Sequence, residues 1–389
     1  MKNHKLFLFS TFVLIVVGGQ YFWYYVHKNR LLNKMIGQMI ILGFHGTSPR
    51  DAEVQALAQD IRAGRVGGVI LFNIDVRKAK SSGNQEWRRQ TKSHNIIDVE
   101  QVAQLNEFLQ NAAHDGGNPP LFVAVDQEGG TVIRLGPEHG FPVVLPAAKE
   151  MSNMPLSKIE ELYFETGVAL HRLGFNVDFA PVVDIDVNPK SPAIGALGRA
   201  FSADPSEVID YGRVASNGLA RAGMIYTFKH FPGHGSAEHN THYGIADITN
   251  LWSTIELQPY RELVTSTMSG MVMVAHLICG QIDPTMPASL SPKWIDGILR
   301  RDIGFDGVVI SDDLQMDAIY GRYGLRETLR LSINAGNDIL LIGNNLKRMK
   351  NPVSLLHREI ITMVRHGEIS QERLKKSYER ILKLKEKIR

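Results

Sequence analysis

Four histidines and one lysine fall within residues 229–242, KHFPGHGSAEHNTH. The Pro-Gly pair at 232–233 makes a regular helix improbable, so a loop of defined shape is predicted. The apolar run before it, residues 223–228, is typical of a buried strand, which places Lys229 and His230 at the strand's carboxyl end. Many α/β enzymes keep their chemistry at such a position. A solvated polar loop is the alternative, but five nitrogen bases beside one turn favour a site.

Charged and polar side chains also follow the other apolar runs. They are Asp126, Gln127, Glu128, Arg134, Asp184, Asp186, Arg199, His276, Asp312 and Asp313. Any one of them could belong to a structural ion pair, and Asp184, Asp186 and Asp313 are expected to be caps or orienting partners. The convergence of the whole set at one end of the predicted sheet favours a catalytic site.

Two reaction classes need such a set. In the first, a carboxylate attacks the anomeric carbon of a sugar while an acid protonates the leaving oxygen. In the second, His, Lys and Asp side chains hold divalent metals that activate water. The metal class usually has a His-x-His pair after the first strand. This chain has His45 alone there, which counts against a metal site.

Eight nearly continuous apolar runs predict strands buried on both faces, as in a parallel sheet flanked by helices. They are residues 39–44, 66–72, 121–126, 176–184, 223–228, 268–276, 306–313 and 338–343. Amphipathic segments between them predict helices, including 98–113 with Asp98 as its cap, 205–222 with Asp204 before it, and 371–388. This alternation predicts an α/β fold of the (β/α)8 TIM-barrel type, a single domain over residues 31–389, with its active site on the loops after the strands.

The amino terminus resembles a signal anchor. Residues 6–26 (LFLFSTFVLIVVGGQYFWYYV) carry no charge over 21 positions and are long enough to cross a bilayer as one helix. Bulky aromatic residues end the run where a signal peptidase would need small ones, so a retained transmembrane helix and linker are predicted over residues 1–30. The flanking charges do not fix the orientation. We expect the usual export of the following domain, to the periplasmic or extracellular face of a bacterial inner membrane.

The composition is that of an ordinary folded protein, with 44% hydrophobic and 21% charged residues among 389. A formal net charge of +3 gives no sign of a nucleic-acid partner. Cys279 is the single cysteine, so an internal disulfide is excluded.

Residues 75–95 form a long basic connection after the second strand, and either a solvated loop or a lid that contacts acidic groups fits its composition.

At these residues the chain resembles family 3 glycoside hydrolases of the β-N-acetylhexosaminidase type, from about residue 36 onward. The similar segments are IGQMIILGF (36–44), VDQEGGTVIRL (125–135), FAPVVDIDVNPKSPAIGALGRAF (179–201), KHFPGHG (229–235), MVAH (273–276) and SDDLQM (311–316). The combination of KHFPGHG with SDDL is highly specific. Family members of this length are single barrels and lack the second domain that supplies a glutamate acid in larger relatives.

The resemblance implies a role for each matching residue. Asp312 is the nucleophile that forms a covalent glycosyl-enzyme, and His242 is the general acid/base. The residues that bind the sugar before the cleaved bond are Asp126, Arg134, Arg199, Lys229 and His230. The resemblance further implies hydrolysis of terminal β-linked N-acetylglucosamine, with retention of configuration and without a cofactor or metal. The expected partners are an amino-sugar glycoside from peptidoglycan fragments and the membrane, and a monomer is expected.

Two positions depart from the family pattern. The family commonly has Asp-x-His where this chain has Asn240-Thr241-His242, so Asn240 replaces the carboxylate that would orient His242. Loss of that charge supports a competing interpretation, a catalytically weak sugar-binding protein, and a metal-dependent barrel hydrolase is a third. Thr131 stands where close relatives often have Arg, which leaves the substrate preference open.

Overall fold

The structure is a computed structural model and describes residues 30–74, 94–241, 244–264 and 270–388. Within these residues, ten strands form: β1 Ile40–Gly43, β2 Gly68–Ile70, β3 Phe122–Val125, β4 Val177–Asp178, β5 Tyr226–Phe231, β6 Ala246–Asp247, β7 Gly270–Val274, β8 Leu277–Ile278, β9 Val308–Ser311 and β10 Leu340–Ile342. One parallel sheet has the order β10-β1-β2-β3-β4 and another the order β5-β7-β9, while β6 pairs with β8 separately. Parallel bridges from Val177 to Ile225 and from Ile310 to Ile339 join the first two sheets, so eight strands close into a barrel.

The closed barrel confirms the TIM-type α/β fold, and each of the eight predicted runs contributes one of its strands. Every residue of these strands is buried, as expected for parallel strands covered by helices outside and side chains inside. Several strands are shorter than their runs, and the run 176–184 keeps only Val177–Asp178. Pro181 has no N–H to donate, which interrupts the ladder in that run.

Helices alternate with the strands around the barrel. After a first helix over residues 30–38, they are α1 Ala52–Arg62, α2 Val99–Asp115, α3 Ala148–Met151, α4 Leu156–Arg172, α5 Pro205–Arg221, α6 Gln258–Leu263, a π-helix at Lys293–Asp302, α7 Asp317–Ala335, α8 Pro352–Arg365 and α9 Gln371–Lys385. The two predicted caps are confirmed, since Asp98 accepts from the Gln101 amide and Asp204 from the Ser206 amide, each at 2.8 Å. Such caps satisfy amides of the first helical turn and fix where α2 and α5 begin.

β5 differs from its predicted position. The prediction ended the strand before Lys229 and His230, whereas β5 runs from Tyr226 to Phe231 and includes both. The strand begins later than predicted because the Met224 amide donates a hydrogen bond to Leu219 O in α5, at 3.0 Å, so residue 224 is still hydrogen-bonded to the end of that helix. It ends late because Lys229 and His230 are as buried as the apolar residues around them. Buried carboxylates, described below, provide the polar contacts that water would provide in a loop.

The described helices include none that is long and apolar enough to cross a membrane. The predicted anchor at residues 6–26 lies outside the described residues, as does most of the basic connection, of which only His94 and Asn95 are described. The anchor, its orientation and the domain boundary near residue 30 stay predictions.

Candidate active site

A cleft of about 930 Å³ opens where the barrel strands end. Of the eight residues predicted to form the site, seven line this cleft: Asp126, Arg134, Arg199, Lys229, His230, Asn240 and Asp312. His242 lies outside the described residues. Thr131, the second departure from the family pattern, also lines the cleft. The fold thus brings together side chains from the ends of β3, β4, β5 and β9.

Glu128 is the centre of a buried charge cluster in this cleft. Arg199 donates two hydrogen bonds to it, from Nε to Oε2 at 2.8 Å and from Nη2 to Oε1 at 2.7 Å. Lys229 Nζ lies 2.6 Å from Glu128 Oε1 and 2.9 Å from Asp126 Oδ1. Arg134 Nη2 contacts the other oxygen of Asp126 at 3.2 Å. Two carboxylates therefore hold three cations in fixed positions.

Opposite charges keep this cluster ionised although it is buried. Burial raises the pKa of Glu128, but the charges of Arg199 and Lys229 outweigh burial and hold that pKa well below its ordinary range. Burial also raises the pKa of Asp126, and Lys229 and Arg134 more than reverse the shift. Burial lowers the pKa of Lys229, and its two carboxylate partners raise it again above the ordinary value. A substrate in the cleft therefore meets charges that are already oriented.

The sequence predicts Glu128 at the end of a strand, but it does not identify Glu128 as a residue of the site. The signal was present, since Glu128 follows Asp126 by two positions in the stretch DQEGG. Gly129 and Gly130 come next with φ of +103° and +58°, a backbone region that favours glycine. The glycines turn the chain back after Glu128, where the Glu128 amide donates to Val132 O at 3.0 Å.

Asp184 orients His230 and the turn that follows it. His230 Nδ1 lies 2.7 Å from Asp184 Oδ2, and the amides of His230 and His234 donate to Oδ1 at 3.2 and 2.8 Å. His230 Nε2 lies 3.2 Å from Arg199 Nη2. Because a guanidinium can only donate, Nε2 is the acceptor and the ring proton sits on Nδ1, facing Asp184. Asp184 is thus the orienting partner that the sequence predicted.

Asp312 and Asp313 follow β9 directly but have different contacts. Asp313 Oδ1 accepts from the amides of Gln315 and Gly343, both at 3.0 Å, and burial raises the pKa of Asp313 to about 7. Asp312 Oδ1 accepts from the Asp313 amide at 2.7 Å. Both residues line the cleft, and the two are distinguished by the hydrogen bonds that the Asp313 carboxyl makes to backbone amides. Asp313 is therefore fixed to the backbone as an orienting partner, and Asp312 is the candidate nucleophile of the pair.

A further buried carboxylate, Glu256, holds the turn between β5 and Asn240. Its Oε2 accepts from the amides of residues 235 and 236 at 3.1 and 3.4 Å. Burial raises the pKa of Glu256 to about 7. Next to this turn, His234 Nε2 lies 3.4 Å from Thr241 Oγ1. No sequence motif identifies Glu256, because it lies outside the segments that are similar to the glycoside hydrolase family. It contacts the turn only in the folded chain.

Within the described residues, no group of three or more His, Cys, Asp or Glu side chains is placed to hold a metal ion. His45, the histidine considered for such a site, packs its ring edge-on against His94 with 4.4 Å between centroids. Its Nε2 lies 3.0 Å from Asn344 O. His45 thus joins the chain after β1 to the chain after β10.

A (β/α)8 barrel that collects carboxylates, cations and a histidine at the carboxyl ends of its strands is the architecture of a barrel enzyme. Residues 31–384 match the description "Glycosyl hydrolase family 3 N terminal domain", and the chain belongs to that family. The comparisons with relatives and solved structures confirm the expected family and the expected enzyme class, a glycoside hydrolase.

Two relatives are about one third identical to this chain over the aligned residues. A β-hexosaminidase of Tolumonas auensis is 34% identical over 302 residues, covering 76% of this chain and 80% of that protein. β-Hexosaminidase A of Pseudoalteromonas piscicida is 31% identical over 398 residues, covering 92% of this chain. The chain spans 61% of that relative's length.

Two solved structures have the same fold over nearly the whole chain. A glycoside hydrolase family 3 β-N-acetylglucosaminidase from Paenibacillus sp. str. FPU-7 superposes with a TM-score of 0.77 at 31% identity, covering 92% of this chain and 62% of the other. LpqI of M tuberculosis superposes with a TM-score of 0.74 at 29% identity, covering 91% of this chain and 93% of the other.

Proposed function

We propose that the protein is a retaining β-N-acetylhexosaminidase that hydrolyses terminal β-linked N-acetylglucosamine. One observation carries the proposal: Asp312 lines the same cleft as the cluster formed by Glu128, Arg199 and Lys229. An amino sugar presents hydroxyl groups and an acetamido group, for which carboxylates are acceptors and Arg and Lys are donors. The names of the relatives support this substrate class.

The mechanism that fits this geometry has two steps. Asp312 attacks the anomeric carbon as the bond to the leaving oxygen breaks, and His242 gives that oxygen its proton. His242 then takes a proton from water, which attacks the anomeric carbon, breaks the ester and releases the sugar with its configuration retained. Attack by Asp312 Oδ2 keeps the hydrogen bond between Oδ1 and the Asp313 amide intact. The role of His242 rests on the family resemblance.

The proposal is tested with full-length protein in detergent. We expect turnover of an aryl N-acetylglucosaminide and much slower turnover of the matching glucoside, because only the first carries the acetamido group. A fluorinated slow substrate should leave its sugar as an ester on Asp312, which peptide mapping locates. Label on Asp313, or no label in an active enzyme, would contradict the assignment.

The competing function is a sugar-binding protein with weak catalysis. Asn240 lines the cleft where the family commonly has a carboxylate, while the binding cluster around Glu128 is complete. Calorimetry with N-acetylglucosamine together with the turnover measurement separates the two functions. Binding without turnover, restored to turnover by Asn240→Asp, would favour the binding protein.

We also propose that residues 6–26 anchor a monomeric, exported enzyme that acts on peptidoglycan fragments. The uncharged apolar run and the aromatic residues at its end support the anchor. Full-length protein should stay in membranes after carbonate extraction and be digested by protease added from the exported side. A soluble mature form that begins after residue 26 would contradict the anchor.

A further inference from the structure

His276 ends the MVAH stretch and lies beside the candidate nucleophile without a role in the proposed mechanism. It follows β7 in the chain and is buried. Its Nε2 lies 2.9 Å from the backbone oxygen of Asp313, and its Nδ1 lies 2.6 Å from Ser289 Oγ. Both ring nitrogens therefore have hydrogen-bond partners inside the protein.

The partners of His276 fix its tautomer. A backbone carbonyl can only accept, so Nε2 carries the ring proton and donates it to Asp313 O. Burial lowers the pKa of His276, which keeps the ring neutral and makes Nδ1 an acceptor for the Ser289 hydroxyl. Ser289 is itself held in place, since its amide donates to Ala275 O at 3.1 Å.

Asp313 connects His276 to the nucleophile. Its carbonyl accepts from His276, its carboxylate accepts from the amides of residues 315 and 343, and its own amide donates to Asp312 Oδ1 at 2.7 Å. A change in the orientation of Asp313 would move that amide and release Asp312 Oδ1. The position of the attacking carboxylate thus depends on contacts that lie outside the cleft.

We propose that His276 is a positioning residue for the nucleophile, acting through the Asp313 backbone with Ser289 as its anchor. The proposal rests on the assignment of Asp312 as nucleophile. His276 does not contact the substrate, so its loss should slow attack on the anomeric carbon and leave the Michaelis constant nearly unchanged. A displacement of about 1 Å in a reacting group costs on the order of 10²-fold in rate.

Three variants test the role of the Nε2 proton. His276→Leu removes the donor, and His276→Gln keeps an N–H near the position of Nε2. His357→Leu is the matched control, because His357 is also buried and its Nε2 also contacts a backbone oxygen, Arg65 O at 2.9 Å, in another part of the fold. The measurements are kcat, KM, unfolding free energy, and the rate at which a fluorinated slow substrate labels the full-length protein.

We expect His276→Leu to lower the labelling rate roughly 30- to 100-fold with KM within about threefold. His276→Gln should recover the rate to within about fivefold of wild type, and His357→Leu should leave it unchanged. Equal rates in His276→Leu and wild type, or equal losses in the Leu and Gln variants, would overturn the proposal.

Ser289→Ala is the second variant in case His276→Leu does not fold. It removes only the hydroxyl that contacts His276 Nδ1. We expect labelling to be about three- to tenfold slower, because His276 and the Asp313 backbone would shift only in part. If His276→Leu fails to fold and Ser289→Ala labels at the wild-type rate, the proposal is wrong. Label on a residue other than Asp312 in wild type would instead overturn the proposed function, so the two failures are distinguishable.

Discussion

Buried carboxylates paired with cationic side chains occur at both ends of the barrel, and they differ in what lies beside them. Glu128, at the carboxyl end, binds Arg199 and Lys229 and lines the cleft. Asp338 precedes β10 at the amino end and is fully buried. Its partners are Arg300 at 2.7 Å, Ser377 at 2.7 Å, the Val309 amide at 3.0 Å, Arg373 at 3.1 Å and Arg380 at 3.5 Å.

The two clusters join different parts of the molecule. The partners of Asp338 come from the π-helix, β9 and α9, so that cluster fastens the last helix to the barrel. The partners of Glu128 come from β5 and the loop after β4, and both of them line the cleft. A barrel of this type separates stability at the amino end from chemistry at the carboxyl end. Equal burial of charge therefore predicts unequal consequences when each cluster is broken.

Glu128→Gln should have the largest effect, because it damages both stability and activity. The amide keeps the size of the side chain but leaves Arg199 and Lys229 with one buried negative charge fewer. We expect a loss of about 3–5 kcal/mol in unfolding free energy, and a fall in kcat/KM of roughly 10²- to 10³-fold. Urea denaturation and turnover of an aryl N-acetylglucosaminide measure the two effects.

Glu327→Gln is the matched control for Glu128→Gln. Glu327 also binds one arginine through both oxygens, with Arg330 Nε at 2.8 Å and Nη2 at 2.6 Å, but on the surface. An exposed pair contributes only about 0–1 kcal/mol. If Glu128→Gln were as stable and as active as Glu327→Gln, the cluster around Glu128 would contribute neither to stability nor to catalysis.

Much of this organisation could be predicted from the sequence. The barrel was predictable because parallel strands covered on both faces are apolar throughout, and caps such as Asp98 depend on neighbouring residues only. Asp126 and Lys229 were found through their motifs. The contact between them was not, because ion pairs between distant segments leave no periodic signal. For the same reason the sequence predicts an end of β5 that is too early. No residue near Lys229 in the sequence indicates that its side chain is buried.

Asp338→Asn should lower stability and leave catalysis unchanged. Burial raises the pKa of Asp338, but the three arginines outweigh it, so the group is ionised and its charge is lost in the variant. We expect a loss of about 3–5 kcal/mol in unfolding free energy and a kcat/KM within about twofold of wild type, measured well below the melting temperature. The control is Asp306→Asn, which removes an exposed partner of Arg380. A fall in kcat/KM like that of Glu128→Gln would contradict the separation of the two ends.

Glu256→Gln should change how stability depends on pH. Glu256 binds backbone amides, and its pKa is raised by burial to about 7. The folded state therefore keeps its proton between pH 4.5 and 7 while the unfolded state loses it, so stability falls by up to about 1.4 kcal/mol per pH unit there and is level above. The variant cannot titrate at this position. Its unfolding free energy should thus rise relative to wild type between pH 5 and 7, and the difference should be constant at higher pH.

Unfolding free energies at pH 5, 6, 7 and 8 check this prediction. Asp313, whose pKa is also raised to about 7, is present in both proteins and cancels in the difference. A difference that does not vary with pH would mean that Glu256 ionises in the fold as readily as in the unfolded chain.

Asp178→Asn should have the smallest effect, although it makes the same chemical change as Glu128→Gln in the same end of the barrel. Asp178 is fully buried in β4, and burial raises its pKa well above the ordinary range, which favours the neutral carboxyl in the folded protein. Asparagine has the same shape and can still accept from the Gln127 amide, which bonds to Asp178 Oδ1 at 3.0 Å. We expect kcat/KM within about threefold of wild type and a stability change below about 1 kcal/mol. Asp178→Ala should cost about 1–3 kcal/mol more, because the Gln127 amide would lose its acceptor. If Asp178→Asn instead matched the losses of Glu128→Gln, Asp178 would be ionised, and Lys229 would balance a third negative charge beside Asp126 and Glu128.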